Sequence, residues 1–444
     1  MNNYYVNANN QQNEMPQGQM SQGRVPQSQM PQKKKGSGIS LFISGLIVGM
    51  AASLLIISVV FLITRVQKLL KVKEEGPQVT FEEDSVVDAQ VIQKIQLLED
   101  TIDKYYYLEM VSDEELEEGI YHGMIEALND PYSEYYTAEE LNDLMEQTEG
   151  IYYGIGAYVS LDTETSLPKI SGIIEGAPAS EVDLRVNDLI YEVDGVSTYG
   201  KSLEEATALI KGIEGSSVTL TLIREGENDY LTLEVTRRKV ETPTVEYEML
   251  ENNIAYIQIT EFGEVTVDQF ADALATMKGS GMEGLILDLR TNPGGSLAAV
   301  VDVARMILPE GMIVYTEDKN GHRDEYKCKG DRQLEVPLVV LVDMNSASAA
   351  EVLAGAIQDH EIGTLVGTTT YGKGIVQQIV PYIDGSAVKV TISSYYTPDG
   401  RDIHGIGIEP DVVCEFDSEA YYREDNPVDN QLEKAKQVLQ GMMQ

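Results

Sequence analysis

The chain has few of the residues that metal and histidine-based sites use. Its 444 residues include two cysteines, Cys328 and Cys414, which lie far apart and match no metal-site spacing. Two free thiols are expected, a disulfide between them is left open, and no metal or organic cofactor is indicated. Of four histidines only His360 has a neighbouring aspartate. Adjacent helical residues point apart, so a catalytic triad built on His360 is disfavoured.

Basic residues are also scarce. Lys and Arg total 32 against 73 Asp and Glu, which gives a formal net charge of -41. Proteins bind nucleic acids mainly by neutralising phosphates with basic side chains, so the composition argues against a nucleic-acid partner. A chain of this length exceeds one ordinary hydrophobic core and predicts two or three domains.

The N-terminal region carries a long uncharged stretch. Residues 1–37 are rich in Asn, Gln, Met, Pro and Ser, which predicts a disordered tail. Residues 38–64 lack charge and are dominated by Leu, Ile, Val and Ala. This run exceeds the roughly 20 residues that cross a bilayer. A cleaved signal peptide would have a shorter apolar region that starts earlier, so a retained transmembrane helix is predicted.

A helical arm is predicted over residues 65–145. Ser112 with Glu115, and Thr137 with Glu140, have the spacing of capping boxes, which indicates the starts of two helices. This arm is expected to be structural rather than part of a site.

Short strands around one helix are predicted over residues 146–240. Apolar residues at 218, 220 and 222 alternate with threonines, as in a half-buried strand. The segment resembles a PDZ domain at its glycine-rich entry and at the sequences GAPASEVDL and NDLIYEVDG. Asp183 stands where protease-linked PDZ domains usually have glycine, and a left-handed backbone is expected there.

The PDZ resemblance implies a peptide-binding role for the glycine-rich turn. In that family its backbone N–H groups bind the terminal carboxylate of a peptide, which adds a strand beside the helix. The resemblance places this role on Tyr153, Gly154, Ile155 and Gly156. The alternative is that the glycines merely permit a tight turn.

Residues 241–415 alternate apolar strands with helical segments, as in an α/β domain. Two predicted buried strands, 285–289 and 338–342, are each followed by a turn and a helix. The carboxyl ends of such strands commonly hold the site of an α/β sheet. The predicted fold is therefore mixed α/β and multidomain: an α/β core with an inserted PDZ domain, a helical arm, a single transmembrane helix and a C-terminal helical tail over 416–444.

The turn after the second buried strand fits acyl transfer. Ser348 is predicted at a strand-to-helix turn, where the N–H of Ala349 and that of Gly294 or Gly295 would stabilise a developing oxyanion. A serine in such a turn is more often a helix cap, so the position alone is weak evidence.

A lysine later in the chain would supply the base. Lys373 lies between two glycines beside apolar sequence, where burial would lower its pKa enough for it to accept a proton. Gln377 lies four residues on and shares its face if a strand starts near the lysine, so the two are expected to hydrogen-bond. A lone lysine is usually solvated, so Lys373 is predicted as a base because it occurs together with Ser348.

The chain resembles the C-terminal processing peptidases, the tail-specific serine proteases of family S41. The resemblance covers about residues 87–440 and includes GMIEALNDPYSEYY, LDLRTNPGG, NSASAAE, YGKGIVQQ and YYTPDGRDIHGIGIEPDV. It implies Ser348 as the nucleophile, Lys373 as its dyad partner and Gln377 as the supporting glutamine. An aspartate assigned in some members would fall on Asp359, and Ala350 replaces the third serine of the usual motif.

The resemblance implies a serine endopeptidase that binds protein C-termini and cuts upstream without a cofactor, and the uncharged run at 38–64 predicts that it is anchored in a membrane. Lysines at 33–35 precede the predicted span and basic residues also follow it, so charge alone does not set its orientation. The acidic bulk and the peptidase expectation favour a cytoplasmic N-terminus with the protease domain outside. Substrate, oligomeric state and gating by the PDZ domain are left open.

Two other functions fit part of the sequence. Residues 367–373 spell most of a phosphate-binding loop, but Gly374 supplies no hydroxyl for magnesium and a strand-like run follows where a helix is required. The other rival is a membrane-anchored PDZ scaffold whose protease domain is inactive.

Overall fold

A computed structural model describes residues 85–108, 111–423 and 427–444, and the chain divides into two units at residues 110 and 111. In the first unit, helix α1 (Ala89–Tyr105) begins at Asp88, whose carboxylate accepts the N–H groups of Gln90 and Val91 at 2.8 Å. Among the described residues, no helix combines the length and apolar character that a bilayer span requires. The predicted tail and the predicted span at 38–64 lie outside the described residues.

The second unit begins with two helices whose starts the sequence predicted. Helix α2 (Asp113–Glu126) follows Ser112, whose N–H is accepted by Glu115 at 2.6 Å, and helix α3 (Ala138–Glu149) follows Thr137 in the same way. Between them lies strand β1 (Glu134–Tyr136), which pairs with a strand far along the chain and was not predicted.

A small β domain follows and contains its own apolar core. Its main sheet has the order β3-β4-β5-β7-β8, and β2 and β9 form a separate pair. The strands are β2 (Ile151–Gly154), β3 (Ala157–Leu161), β4 (Pro168–Ile173), β5 (Leu189–Val193), β6 (Val196–Ser197), β7 (Ser217–Ile223), β8 (Leu231–Thr236) and β9 (Arg238–Glu241), with helix α4 (Leu203–Ile210) between β6 and β7. Asp183 is not left-handed, contrary to expectation, and its carboxylate binds Arg224 at 3.0 Å.

The large domain is built on a sheet with the order β10-β11-β12-β15-β16-β19, parallel except for β10. Every residue of β12 and β15 is buried, because helices cover both faces. The strands are β10 (Val245–Met249), β11 (Ile254–Ile259), β12 (Gly284–Asp288), β15 (Leu338–Val342), β16 (Gly363–Gly367) and β19 (Val412–Val413). On one face pack α5 (Glu264–Gly279), α6 (Leu297–Ala304) and α7 (Ala349–Asp359).

A second, antiparallel sheet has the order β1-β18-β13-β14, with β17 on β18. Its strands are β13 (Glu310–Asp318), β14 (Arg323–Lys329), β17 (Ile375–Pro381) and β18 (Ala387–Tyr396). The arm therefore contributes a strand to the large domain. The mixed α/β class predicted from the sequence is confirmed.

The chain ends with helices α8 (Ser418–Tyr421) and α9 (Asn430–Met442), of which α9 packs on the other face of the parallel sheet. Arg290 ties this helix to the sheet. Its guanidinium donates to the fully buried Asp288 at 2.6 Å and to Asp429, which caps α9, at 2.8 Å. The Tyr256 hydroxyl donates to the same buried carboxylate at 2.8 Å.

Replacing Arg290 with methionine is expected to destabilise the large domain by about 3–5 kcal/mol, because Asp288 keeps its buried charge without its cation. Urea unfolding followed by circular dichroism measures this change. Arg323→Met removes an ion pair with Glu317 at the protein surface, where water screens the charges, and is expected to leave the stability nearly unchanged. Equal losses in the two variants would contradict the prediction.

Candidate active site

The site lies where two loops meet at the carboxyl ends of β12 and β15, as expected for a parallel sheet. The Ala347 N–H donates to the Asn292 carbonyl at 2.9 Å and joins the loops. The buried Asn292 side chain donates to the Ile259 carbonyl and accepts the Gly294 N–H, both at 2.8 Å. Both loops are therefore held by one asparagine at the sheet edge.

Ser348 precedes helix α7 with φ 53° and ψ -114°, a backbone conformation that residues other than glycine rarely adopt. It is half-buried, whereas Ala347 and Ala349 on either side are buried. The turn thus presents the serine at the surface of a cleft. Gly294 lies so close that a Cβ on it would stand 2.7 Å from the Ser348 Cβ, so only glycine fits there.

The three predicted oxyanion donors differ in whether they already donate a hydrogen bond. The Gly294 N–H donates to the Asn292 side-chain oxygen. The N–H groups of Gly295 and Ala349 have no acceptor among the described residues, and both residues line the cleft with Ser348. Two of the three predicted donors are therefore free to bind a substrate oxygen.

Glu351 joins the serine turn to the lysine loop, a role that the sequence did not indicate. Its fully buried carboxylate accepts the N–H groups of Ser348 and Lys373 at 2.8 Å through one oxygen. The other oxygen accepts the Thr370 hydroxyl and the Gly372 N–H at 2.6 Å. One side chain thus fixes the separation of the two backbones.

Lys373 is half-buried, and its ammonium group lies 4.6 Å from the ring centroid of Tyr132. Burial lowers the pKa of Lys373 below its usual value, the charge of Lys389 lowers it further, and Asp130 opposes both. Gly374, the next residue, lets the loop pack closely against the turn that contains His404. A Cβ on Gly374 would lie 2.6 Å from the backbone nitrogen of His404.

Ser348, Lys373 and Gln377 line one cleft of about 410 Å³. Within the described ranges, no hydrogen bond joins the Ser348 hydroxyl to the Lys373 ammonium. Gln377 lies on β17 as predicted, but its carboxamide donates to the Thr391 hydroxyl at 3.3 Å and not to the lysine. The structure therefore brings the three residues together without the expected contacts between them.

Asp359 is not brought to this cleft. It ends helix α7, which Ser348 begins, and its buried carboxylate binds Arg401 and accepts the Asp399 N–H at 2.9 Å. These contacts give Asp359 a structural role in the turn that contains Arg401.

Two tyrosines complete the surroundings of Lys373 and were not predicted. Tyr395 is buried and donates its hydroxyl to the Lys373 carbonyl, and burial followed by the Glu351 charge raises its pKa well above the usual value. Tyr132 comes from the arm that was expected to be only structural. The hydroxyl of Tyr371, followed by burial, raises the pKa of Tyr132 to about 12. Both phenols therefore remain neutral near pH 7.

The small domain has a groove of about 250 Å³ between β3 and α4. Gly154, Ile155 and Gly156 line it, and the N–H groups of Ile155 and Gly156 have no acceptor within the described part of the chain. Tyr153 does not line the groove and is exposed, whereas the adjacent Tyr152 does.

Replacing Glu351 with glutamine is expected to separate the serine and lysine loops. The NH₂ group that replaces one carboxylate oxygen cannot accept the two hydrogen bonds that this oxygen receives. Reaction of Ser348 with a fluorophosphonate should slow about 100-fold. The free energy of unfolding should fall by roughly 2 kcal/mol or more. Glu361→Gln, an exposed change just beyond the same helix, should alter neither quantity. A Glu351→Gln variant with unchanged reactivity would contradict this role.

Family models match both the large domain and the small β domain. The model of peptidase family S41 matches residues 253–414, a PDZ model matches 169–224, and the model of the activating protease CtpB N-terminal domain matches 44–140. The chain is 35% identical to a carboxyl-terminal-processing protease of Synechocystis, over 72% of this chain and 75% of that one. It is 38% identical to the carboxy-terminal processing protease CtpA of Bacillus subtilis, over 70% of this chain and 66% of that one.

Among solved structures, the photosystem II D1 C-terminal processing protease is 32% identical and covers 78% of this chain and 90% of its own, with a TM-score of 0.44. The identity over most of the Synechocystis relative, together with the S41 and PDZ matches, establishes the family. The chain belongs to peptidase family S41, among the carboxyl-terminal processing proteases, and is a serine-type peptidase with a PDZ domain.

Proposed function

We propose that this peptidase binds the C-terminus of a polypeptide in its PDZ groove and cleaves upstream by acyl transfer to Ser348, with Lys373 as general base. The observation that carries the proposal is the buried Glu351 carboxylate, which bonds the backbones of both residues and holds them at one cleft. No cofactor takes part in the proposed reaction.

In the proposed first step, the Lys373 amine takes the proton of the Ser348 hydroxyl as the serine oxygen attacks the scissile carbonyl. The oxyanion accepts the N–H groups of Ala349 and Gly295. Lys373 then returns the proton to the leaving amine, and water releases the acyl group with Lys373 again as base. Because the lysine and serine side chains are not hydrogen-bonded, a side-chain movement of Lys373 precedes proton transfer.

The environment of Lys373 supports its role as a base. A lysine accepts a proton only in its neutral form, which burial favours. Its ammonium group makes no ion pair or hydrogen bond among the described residues, so no acidic side chain holds the proton in place.

The PDZ groove supports recognition of a C-terminus. The N–H groups of Ile155 and Gly156, which have no acceptor among the described residues, favour a carboxylate ligand, and β3 beside α4 offers the usual place for an added peptide strand. The uncharged run at 38–64 supports a membrane anchor with a cytoplasmic N-terminus and the protease domain outside.

Ser348→Ala and Lys373→Ala are each expected to reduce kcat/KM on an unfolded protein substrate by roughly 1,000-fold or more, because each removes one partner of the proton transfer. Lys373→Arg should be equally inactive, since a guanidinium does not lose its proton. Wild-type activity should rise with pH through the lowered pKa of Lys373. Lys278→Ala, at an exposed position, is the control and should cleave normally. Normal cleavage by Ser348→Ala or by Lys373→Ala would exclude the dyad.

Peptide substrates with a free C-terminal carboxylate are expected to have a KM about tenfold lower than the same peptides with an amidated end, which corresponds to ~1.4 kcal/mol. Thr207→Glu places a negative charge in the groove and should raise the KM of the free-acid peptide. Thr232→Glu, exposed on β8 of the same domain, is the matched control. Equal KM values for acid and amide would argue against carboxylate capture.

A further inference from the structure

The catalytic cleft is lined by a second lysine, Lys389 on strand β18. Its ammonium group donates to a Glu134 carboxylate oxygen at 3.1 Å and to the Tyr136 hydroxyl. It also lies 4.9 Å from the centroid of the Tyr136 ring. Lys389 is therefore held in place, whereas the ammonium group of Lys373 lies over the Tyr132 ring and makes no hydrogen bond or ion pair among the described residues.

The arm strand β1 supplies both partners of Lys389. Glu134 lies directly opposite Lys389 in the antiparallel pair, and Tyr136 follows two residues later on the same face. On β18 itself, Thr391 shares the face of Lys389 and bonds the carboxamide of Gln377. The arm thus holds Lys389 on the side of β18 that faces the cleft.

The two lysines have opposite environments. Burial acts to lower the pKa of Lys389, but the hydrogen bonds to Tyr136 and Glu134 outweigh it, and the pKa lies above the usual value. Burial lowers the pKa of Lys373, and the charge of Lys389 adds to that effect. The surroundings of Lys389 therefore favour its charged form, and those of Lys373 favour its neutral form.

We propose that Lys389 is a positioning residue of the reaction: its fixed positive charge disfavours a second charge in the cleft and keeps Lys373 as the free amine that Ser348 needs. This inference rests on the proposed role of Lys373 as the general base. Lys389 itself transfers no proton, because Glu134 and Tyr136 stabilise its charged form.

The other charged and titratable groups that the structure describes around Lys373 act differently from Lys389. Asp130, from the arm, acts in the opposite direction and favours the charged form. The Glu351 carboxylate on α7 is occupied by four donors. Burial raises the pKa of Glu261, beside α5, which favours its neutral acid. Tyr132, Tyr371, Tyr395 and His404 also lie in or beside the lysine loop.

The Glu134 carboxylate offsets part of the charge of Lys389 but does not cancel it. The Glu134 side chain is 55% exposed, whereas that of Lys389 is 25% exposed. Lys389 lines the cleft whereas Glu134 does not, and water screens the more exposed Glu134 charge more strongly.

Lys389→Gln, which removes the charge and keeps a polar end on a side chain one atom shorter, tests the proposal. Without the neighbouring charge, Lys373 should keep its proton to higher pH. The acid limb of the pH profile of kcat/KM should move to higher pH, with a loss of roughly threefold to tenfold at pH 7. Activity should approach that of the wild type at alkaline pH. Lys389→Arg should retain the wild-type profile.

A second measurement follows Lys373 directly. In a Ser348→Ala background, trace acetylation of the Lys373 amine is measured against pH by mass spectrometry, with and without Lys389→Gln. The labelling profile should move to higher pH in the variant. Lys327→Gln, which removes an exposed lysine paired with Glu325 on β14 of the same sheet, should change neither profile.

The outcomes separate this inference from the proposed base. An unmoved labelling profile, a loss equal at every pH, or an arginine variant that behaves like glutamine would overturn the role of Lys389. A labelling profile that moves while the profile of kcat/KM stays in place would support the charge effect on Lys373 and refute Lys373 as the base.

Discussion

The geometry of the active site depends on the buried carboxylate of Glu351. A carboxylate without a cation in a protein interior is stable only when hydrogen-bond donors surround it, and Glu351 accepts four. Its donors come from the start of its own helix and from the loop that contains Lys373. The energetic need to satisfy one buried charge therefore sets the distance between the serine and lysine backbones, while both side chains stay free to react.

The same constraint explains the strained and glycine-rich surroundings of Ser348. The serine backbone has a positive φ because its N–H turns toward Glu351 while its side chain faces the cleft. Gly294 must then approach the serine more closely than any side chain would allow. Among the described residues this packing leaves the Gly295 and Ala349 N–H groups without acceptors beside Ser348, which is the arrangement that an oxyanion site requires.

The features predicted correctly are those with local signals. The capping boxes at Ser112 and Thr137 span three residues, and the two buried strands are continuous apolar runs. Strand β1 was missed because it has only three residues and its partner Lys389 follows Glu134 by 255 positions. Gln377 lies in the cleft as expected, but a register shift beside it turns its amide toward Thr391. Such pairings have no signal in a single sequence.

Helix α3 lies between the candidate catalytic cleft and the groove of the PDZ domain. Gln147 lines both the catalytic cleft and the PDZ groove, and Lys211 at the end of α4 binds Glu146 of α3 at 2.7 Å. Since Leu144 and Thr148 of the same helix also line the cleft, the groove and the cleft share a wall. A rigid helix moves as a unit, so a displacement caused by a peptide in the groove would change the cleft beside Ser348. The order of the chain, with the arm before the PDZ domain and the core after it, is what places this helix between the two.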